Sequence, residues 1–197
     1  MDFRDLNQER REISPLHSIV YWIADVAVVL VLAVFVVLFF CHRVTVTGQS
    51  MDPTLGASDV VLVDRVGYHF DDPSRFDLIV FEKENNRAVK KYVKRVIGLP
   101  GETVQIIEEV IYIDGVPLKG EAGLEHVTLA GLAAKPIVLG PDEYFVLGDN
   151  RDSSEDSRFS NIGNVRREEI HGRVWLRVAP FSKFGKIVYG PSTEGGK

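Results

Sequence analysis

The 197-residue sequence predicts a mostly β fold: an antiparallel, barrel-like sheet domain preceded by one N-terminal transmembrane helix. Three observations point there. An apolar run occupies residues 19–41, short β-rich segments separated by Gly, Pro and Asp follow it, and no long amphipathic helical pattern competes with them. The length has room for one modest globular domain plus a short extra element, not for two full-sized domains.

The apolar run, IVYWIADVAVVLVLAVFVVLFFC, carries Asp25 as its only charge, and as a helix it would extend about 35 Å, enough to cross a bilayer. A cleaved secretion signal is the rival reading, but Cys41-His42-Arg43 offers no small-x-small cleavage site. Arg4, Arg10 and Arg11 precede the span and Arg43 alone follows it closely, an asymmetry that favours an inside N-terminus. The expected division is a cytoplasmic segment 1–18, an anchor 19–41, an extracytoplasmic β-rich domain 42–190 and a disordered tail 191–197. Asp25 lies less than two turns into the span and is read as a tolerated interfacial acid.

Strands are expected at 43–48, 59–66, 76–83, 88–98, 102–108, 109–115, 143–149 and 172–180, where β-branched and aromatic residues dominate. Asp114-Gly115 has the composition of a tight hairpin turn. Residues 119–135 lack a firm strand pattern and read as a surface excursion.

Several function classes are disfavoured at the outset. A net charge of −5 provides no general basic surface for a phosphate backbone, so nucleic acid is not an expected partner. The lone Cys41 supplies neither a disulfide framework nor a Cys-based metal site. The histidines, His17, His42, His69, His126 and His171, belong to no recognisable motif, and HExxH is absent.

Three segments spend small, polar and turn-forming residues where a plain β domain needs only loops. In GQSMDPTLG, Gly48 permits close backbone approach and Pro53 fixes the chain, so Ser50 could be an exposed hydroxyl on a rigid turn; alone, such a serine is equally a turn former. In KKYVKRVIGLPGE, Lys94 is flanked by Val93, Val96, Ile97 and Leu99, and burial there would lower its pKa from about 10.4 toward that of a usable base. The alternative is an exposed strand lysine, as expected for Lys90 and Lys91. In GDNRDSSEDSR, Asp149, Asp152 and Asp156 stand among Arg151, Arg158 and serines, which can form charge pairs and orient an amine. This segment could also be a solvated acidic loop or a calcium site, but the Gly and distal Glu of an EF-hand loop do not follow its acids.

Together, GQSMDPTL, YVKRVIGLPGE and GDNRDSSEDSR, in this order behind an anchor, resemble the bacterial type I signal peptidases, the serine-lysine proteases of family S26. The resemblance extends from residue 19 to about 180. It implies Ser50 as acylating nucleophile, Lys94 as general base, Ser154 orienting the lysine, and Asp156 with Arg158 supporting that loop; Asp149 and Arg151 look structural. The implied oxyanion hole uses the backbone N–H of Ser50, and in some members a hydroxyl two residues earlier, where this chain has Gly48. One such donor is worth roughly 3 kcal/mol.

The implied reaction is removal of signal peptides from exported preproteins after an Ala-x-Ala pattern, at the outer face of the bacterial plasma membrane, with neither metal nor organic cofactor. The expected partners are signal peptides and the lipid bilayer, with Met51 and Leu55 dipping the site interfacially. Oligomeric state is not readable. A self-cleaving repressor with the same Ser-Lys chemistry would need a DNA-binding region and no anchor. A catalytically inactive, membrane-anchored binding module would have no use for intact Ser50, Lys94, Ser154 and Asp156.

Overall fold

The computed structural model describes residues 15–85, 88–119 and 127–187. The expected cytoplasmic segment up to residue 14, the tail 191–197, and His126 lie outside them. Two compact units divide the chain, Met1–Phe39 and Phe40–Lys197.

The first unit holds one helix, α1 (Pro15–Phe40). Proline suits its first turn, where the missing N–H has no intrahelical partner anyway. Residues 17–35 are exposed on every side although nearly all are apolar, a pattern foreign to a water-facing helix and natural to one solvated by lipid. By length and composition this stretch is able to cross a membrane. The helix stops at Phe40, so Cys41, counted with the apolar run in the sequence, instead opens a strand.

Among the described residues the second unit holds twelve strands: β1 (Cys41–Thr45), β2 (Val60–Asp64), β3 (Leu78–Asn85), β4 (Ala88–Gly98), β5 (Thr103–Ile107), β6 (Val110–Ile113), β7 (Val116–Pro117), β8 (Ile137–Val138), β9 (Glu143–Leu147), β10 (Val165–Arg166), β11 (Ile170–Ala179) and β12 (Gly185–Lys186). The larger sheet runs β1-β2-β11-β3-β4-β9-β10, with β12 on β11, and the smaller runs β7-β6-β5-β8. Every pairing is antiparallel. The mostly β, antiparallel expectation therefore holds.

Register shifts in β11 interrupt its pairing with β2 and β3, the irregularity by which a strand bends. Val46 beside β1, Val61 and Val63 of β2, Leu78 and Val80 of β3, and Val174 of β11 share one buried cluster, against which Val93 of β4 packs. These strands are successive neighbours in the sheet, so one face of it forms a common core. A second cluster joins β4 and β9 to the small sheet through Ile97, Val104, Ile111 and Phe145. Gly98 permits that junction, because a Cβ there would meet Val104 at 2.5 Å and Leu139 at 2.8 Å.

The Asp114-Gly115 turn forms as expected, with φ of 51° and 79°, the left-handed values a type I′ hairpin requires. Two expectations need correction. The excursion at 119–135 is not wholly superficial, since Val127 and Ala133 are buried in the second cluster. Met51 and Leu55 are completely buried in the first. They anchor the serine turn to the core and do not face a membrane.

Candidate active site

Ser50 sits on the turn between β1 and β2. Gly48, at φ +86°, starts the reversal, a conformation that an L side chain rarely adopts. Met51 and Leu55, four residues apart, sink into the core, and the Leu55 N–H donates to the Met51 carbonyl at 2.8 Å. The Asn150 N–H donates to the Ser50 carbonyl at 3.1 Å, tying the turn to the third segment. Fastened on both sides, Ser50 keeps its hydroxyl at the surface of a cleft.

Lys94 lies in β4 opposite Ile79 and is 2% exposed. Its Nζ is hydrogen-bonded to Ser50 Oγ at 2.7 Å. Burial pushes its pKa down from 10.5 to about 8, against the opposing pull of the Asp156, Glu155 and Asp149 carboxylates. The expected buried lysine is thus present, while Lys90 and Lys91 are exposed.

The third segment, tied to Ser50 through Asn150, is stiffened by its own charge pair. Asp156 and Arg158, 0% and 1% exposed, make a bidentate pair, Nε to Oδ1 at 2.8 Å and Nη2 to Oδ2 at 2.9 Å. The Gly148 N–H also donates to Asp156 at 3.1 Å, and Arg158 donates to the carbonyls of Leu129 and Arg151. Such a pair is rigid because planar guanidinium and carboxylate match at two points. Arg151 donates to the Gly148 carbonyl at 3.0 Å, and the buried Ser157 hydroxyl accepts from the Val146 N–H at 2.9 Å.

Gly148 is where Ser154 and Ser50 converge. A Cβ there would stand 2.1 Å from Ser154 Oγ and 2.5 Å from the Ser50 carbonyl oxygen. Ser154 is buried, but its Oγ makes no hydrogen bond to Lys94 in this geometry. Ser50, Lys94, Ser154 and Asp156 are therefore gathered at one place, with the Ser50–Lys94 bond formed and a Ser154–Lys94 bond not formed.

Arg95 escaped the sequence reading. It is 5% exposed and holds Asp149 by two bonds, Nε to Oδ1 at 2.7 Å and Nη2 to Oδ2 at 2.6 Å. Thr54 Oγ1 donates to the same carboxylate at 2.5 Å. This network clamps the serine turn, β4 and the third segment together. The signal was the adjacent pair Lys94-Arg95 in an otherwise apolar half-strand: neighbours in a strand point to opposite faces, so both can be buried only if each finds its own partner.

The cleft has a volume of about 690 Å³ and is lined by residues 43–47, 50–51, 90–94 and Glu155. Two strand edges border it. Among the described residues β1 pairs only with β2, and β4 pairs with β9 only from Arg95 onward, leaving the other edge of 88–94 open.

Residues 19–179 match the family model "Signal peptidase, peptidase S26". A signal peptidase I of Leptolyngbya laminosa is 36% identical over 176 residues, covering 86% of this chain and 84% of that protein. A signal peptidase IB of Staphylococcus aureus (strain COL) is 35% identical, covering 85% of this chain and 93% of that one. A probable signal peptidase I-1 of Synechocystis sp. is 36% identical, covering 81% and 82%.

Proposed function

The chain belongs to the signal peptidase family, peptidase S26, and from that membership we propose a serine peptidase reaction in which Ser50 is the nucleophile and Lys94 its base. It is a type I signal peptidase, removing N-terminal signal peptides from exported preproteins after small residues in an Ala-x-Ala pattern. The observation that carries the dyad is the 2.7 Å contact between Ser50 Oγ and a buried lysine whose pKa has fallen to about 8.

The chemistry follows from that contact. Neutral Lys94 takes the Ser50 hydroxyl proton as Oγ attacks the scissile carbonyl, and the Ser50 backbone N–H donates to the developing oxyanion. The Lys94 ammonium then protonates the departing amine, leaving the signal peptide esterified to Ser50. A water deprotonated by Lys94 hydrolyses the ester and restores the serine. Asp156, held by Arg158, favours the transient ammonium by its charge, and Ser154 is the neighbouring hydroxyl placed to orient it once the amine shifts. At Gly48 no side-chain donor is available.

The open edges of β1 and of residues 88–94 suit an extended peptide, which would gain main-chain hydrogen bonds from both sides while small side chains point into the cleft. In this reading residues 1–18 are cytoplasmic, 19–41 anchor the enzyme in the bacterial plasma membrane, and 42–190 lie outside. Lipid suits the all-round apolar surface of residues 17–35. Confining enzyme and signal peptide to one bilayer raises their effective concentration. A binding module without activity receives no support, because every residue the reaction needs is intact.

The test is cleavage of a preprotein bearing an Ala-x-Ala site by the full-length protein in liposomes, with the product weighed by mass spectrometry. Release of the mature protein at that site supports the assignment. A well-folded enzyme that cuts no such preprotein would overturn it.

A further inference from the structure

Three carboxylates act on Lys94 through space: Asp156, Glu155 and Asp149. Two of them are neutralised where they stand, Asp156 by Arg158 and Asp149 by Arg95, each in a bidentate pair. Glu155 differs. It is exposed, it lines the cleft together with Ser50 and Lys94, and it makes neither a hydrogen bond nor an ion pair among the described residues.

Its charge acts on two residues of β4: after burial it adds to the raised pKa of the Tyr92 phenol, and it opposes the burial-driven fall at Lys94. The other charged residues on the cleft wall are cations. Of these, Lys91 is occupied by Glu82 at 3.2 Å, while Arg43 and Lys90 are exposed. The acid that lines this cleft is thus unpaired among the described residues, and the other charges lining it are cations.

An extended peptide seated between β1 and β4 turns alternate side chains inward and outward. Those pointing inward must be small. One pointing outward beside the scissile bond meets the rim, where Glu155 is the acid that lines the cleft with Ser50 and Lys94. Resting on the signal peptidase reading, we propose that Glu155 is a specificity-determining residue, a carboxylate that favours preproteins with a basic side chain next to the scissile bond and disfavours those with an acidic one.

Two unit charges about 6 Å apart in a water-like medium interact enough to change a rate roughly threefold, so exchanging attraction for repulsion gives about tenfold. Salt should erode this, because the Debye length falls from about 10 Å at 0.1 M to about 3 Å at 1 M.

The experiment uses full-length enzyme in detergent and one Ala-x-Ala preprotein in which Lys, Gln or Glu is placed in turn at each non-alanine position flanking the cut. Wild type, Glu155→Gln and Glu155→Lys are compared by kcat/KM. Wild type should prefer Lys over Glu by about tenfold at one position at low salt, Glu155→Gln should abolish most of that preference, and Glu155→Lys should invert it. All three should cleave the Gln-bearing reference. Lys-to-Glu ratios in both variants equal to those of wild type at every position would overturn the proposal. So would folded variants that no longer cleave the neutral reference, because Glu155 would then belong to the catalytic apparatus. Failure of wild type to cleave any of the preproteins would instead sink the peptidase reading on which the proposal rests.

Discussion

The pH dependence of cleavage follows directly from the Lys94 environment. The base must be neutral to accept the serine proton, and burial has lowered its pKa to about 8. At that value about 1 lysine in 11 is neutral at pH 7, whereas an unperturbed lysine near 10.5 would be neutral in about 1 of 3,000, a gain of roughly 300-fold. The log of kcat/KM should rise with unit slope up to about pH 8 and flatten by about pH 9. The assay is preprotein cleavage by the full-length enzyme at limiting substrate, with unfolding monitored in parallel so that alkaline loss of structure is not mistaken for a pKa. A limb near 10.5 would mean that Lys94 is not desolvated during turnover. A limb near 6.5 would implicate a histidine and refute the lysine base.

The same burial should be visible as a stability cost. The folded-state pKa lies below the unfolded one, so at neutral pH the folded state carries the full penalty of a desolvated ammonium, and the penalty disappears as pH rises from about 8 to about 10.5. Lys94→Met should therefore be inactive yet more stable at pH 7 by up to about 3 kcal/mol, the advantage closing with rising pH, as measured by urea denaturation. Gly148→Ala should lower kcat by more than about 100-fold and destabilise by about 1–3 kcal/mol, because its Cβ must displace both Ser154 and the Ser50 carbonyl; kinetics and thermal unfolding read the two effects. Asp156→Asn leaves Arg158 buried without its counter-charge and should cost about 3–5 kcal/mol of unfolding free energy, read by denaturant titration.

What could be read in the sequence is what local chemistry decides. Strand β4 runs over Ala88–Gly98, the residues expected, because β-branched residues and a turn signal bound it on the chain itself. The Asp114-Gly115 hairpin formed for the same reason, whereas Glu108 and Glu109, also at positive φ (49° and 67°), carry no such signature. The two-residue strands β8, β10 and β12 exist only through their partners across the sheet. Met51 and Leu55 looked like membrane contacts because an apolar residue near a surface site has no preferred direction until the fold supplies a core. Arg95 was overlooked because its partner Asp149 is 54 positions away. The third segment's acids and arginines suggested pairing within the loop, and that held for Asp156 with Arg158 but not for Asp149.

The most direct test of the central claim is a side-by-side measurement of preprotein cleavage by wild type, Ser50→Ala and Lys94→Ala full-length proteins, each verified as folded. Wild type should release the mature protein, and both variants should fall below detection across the pH range. Sustained cleavage by folded Lys94→Ala at neutral pH would show that the lysine held 2.7 Å from the serine is not its base.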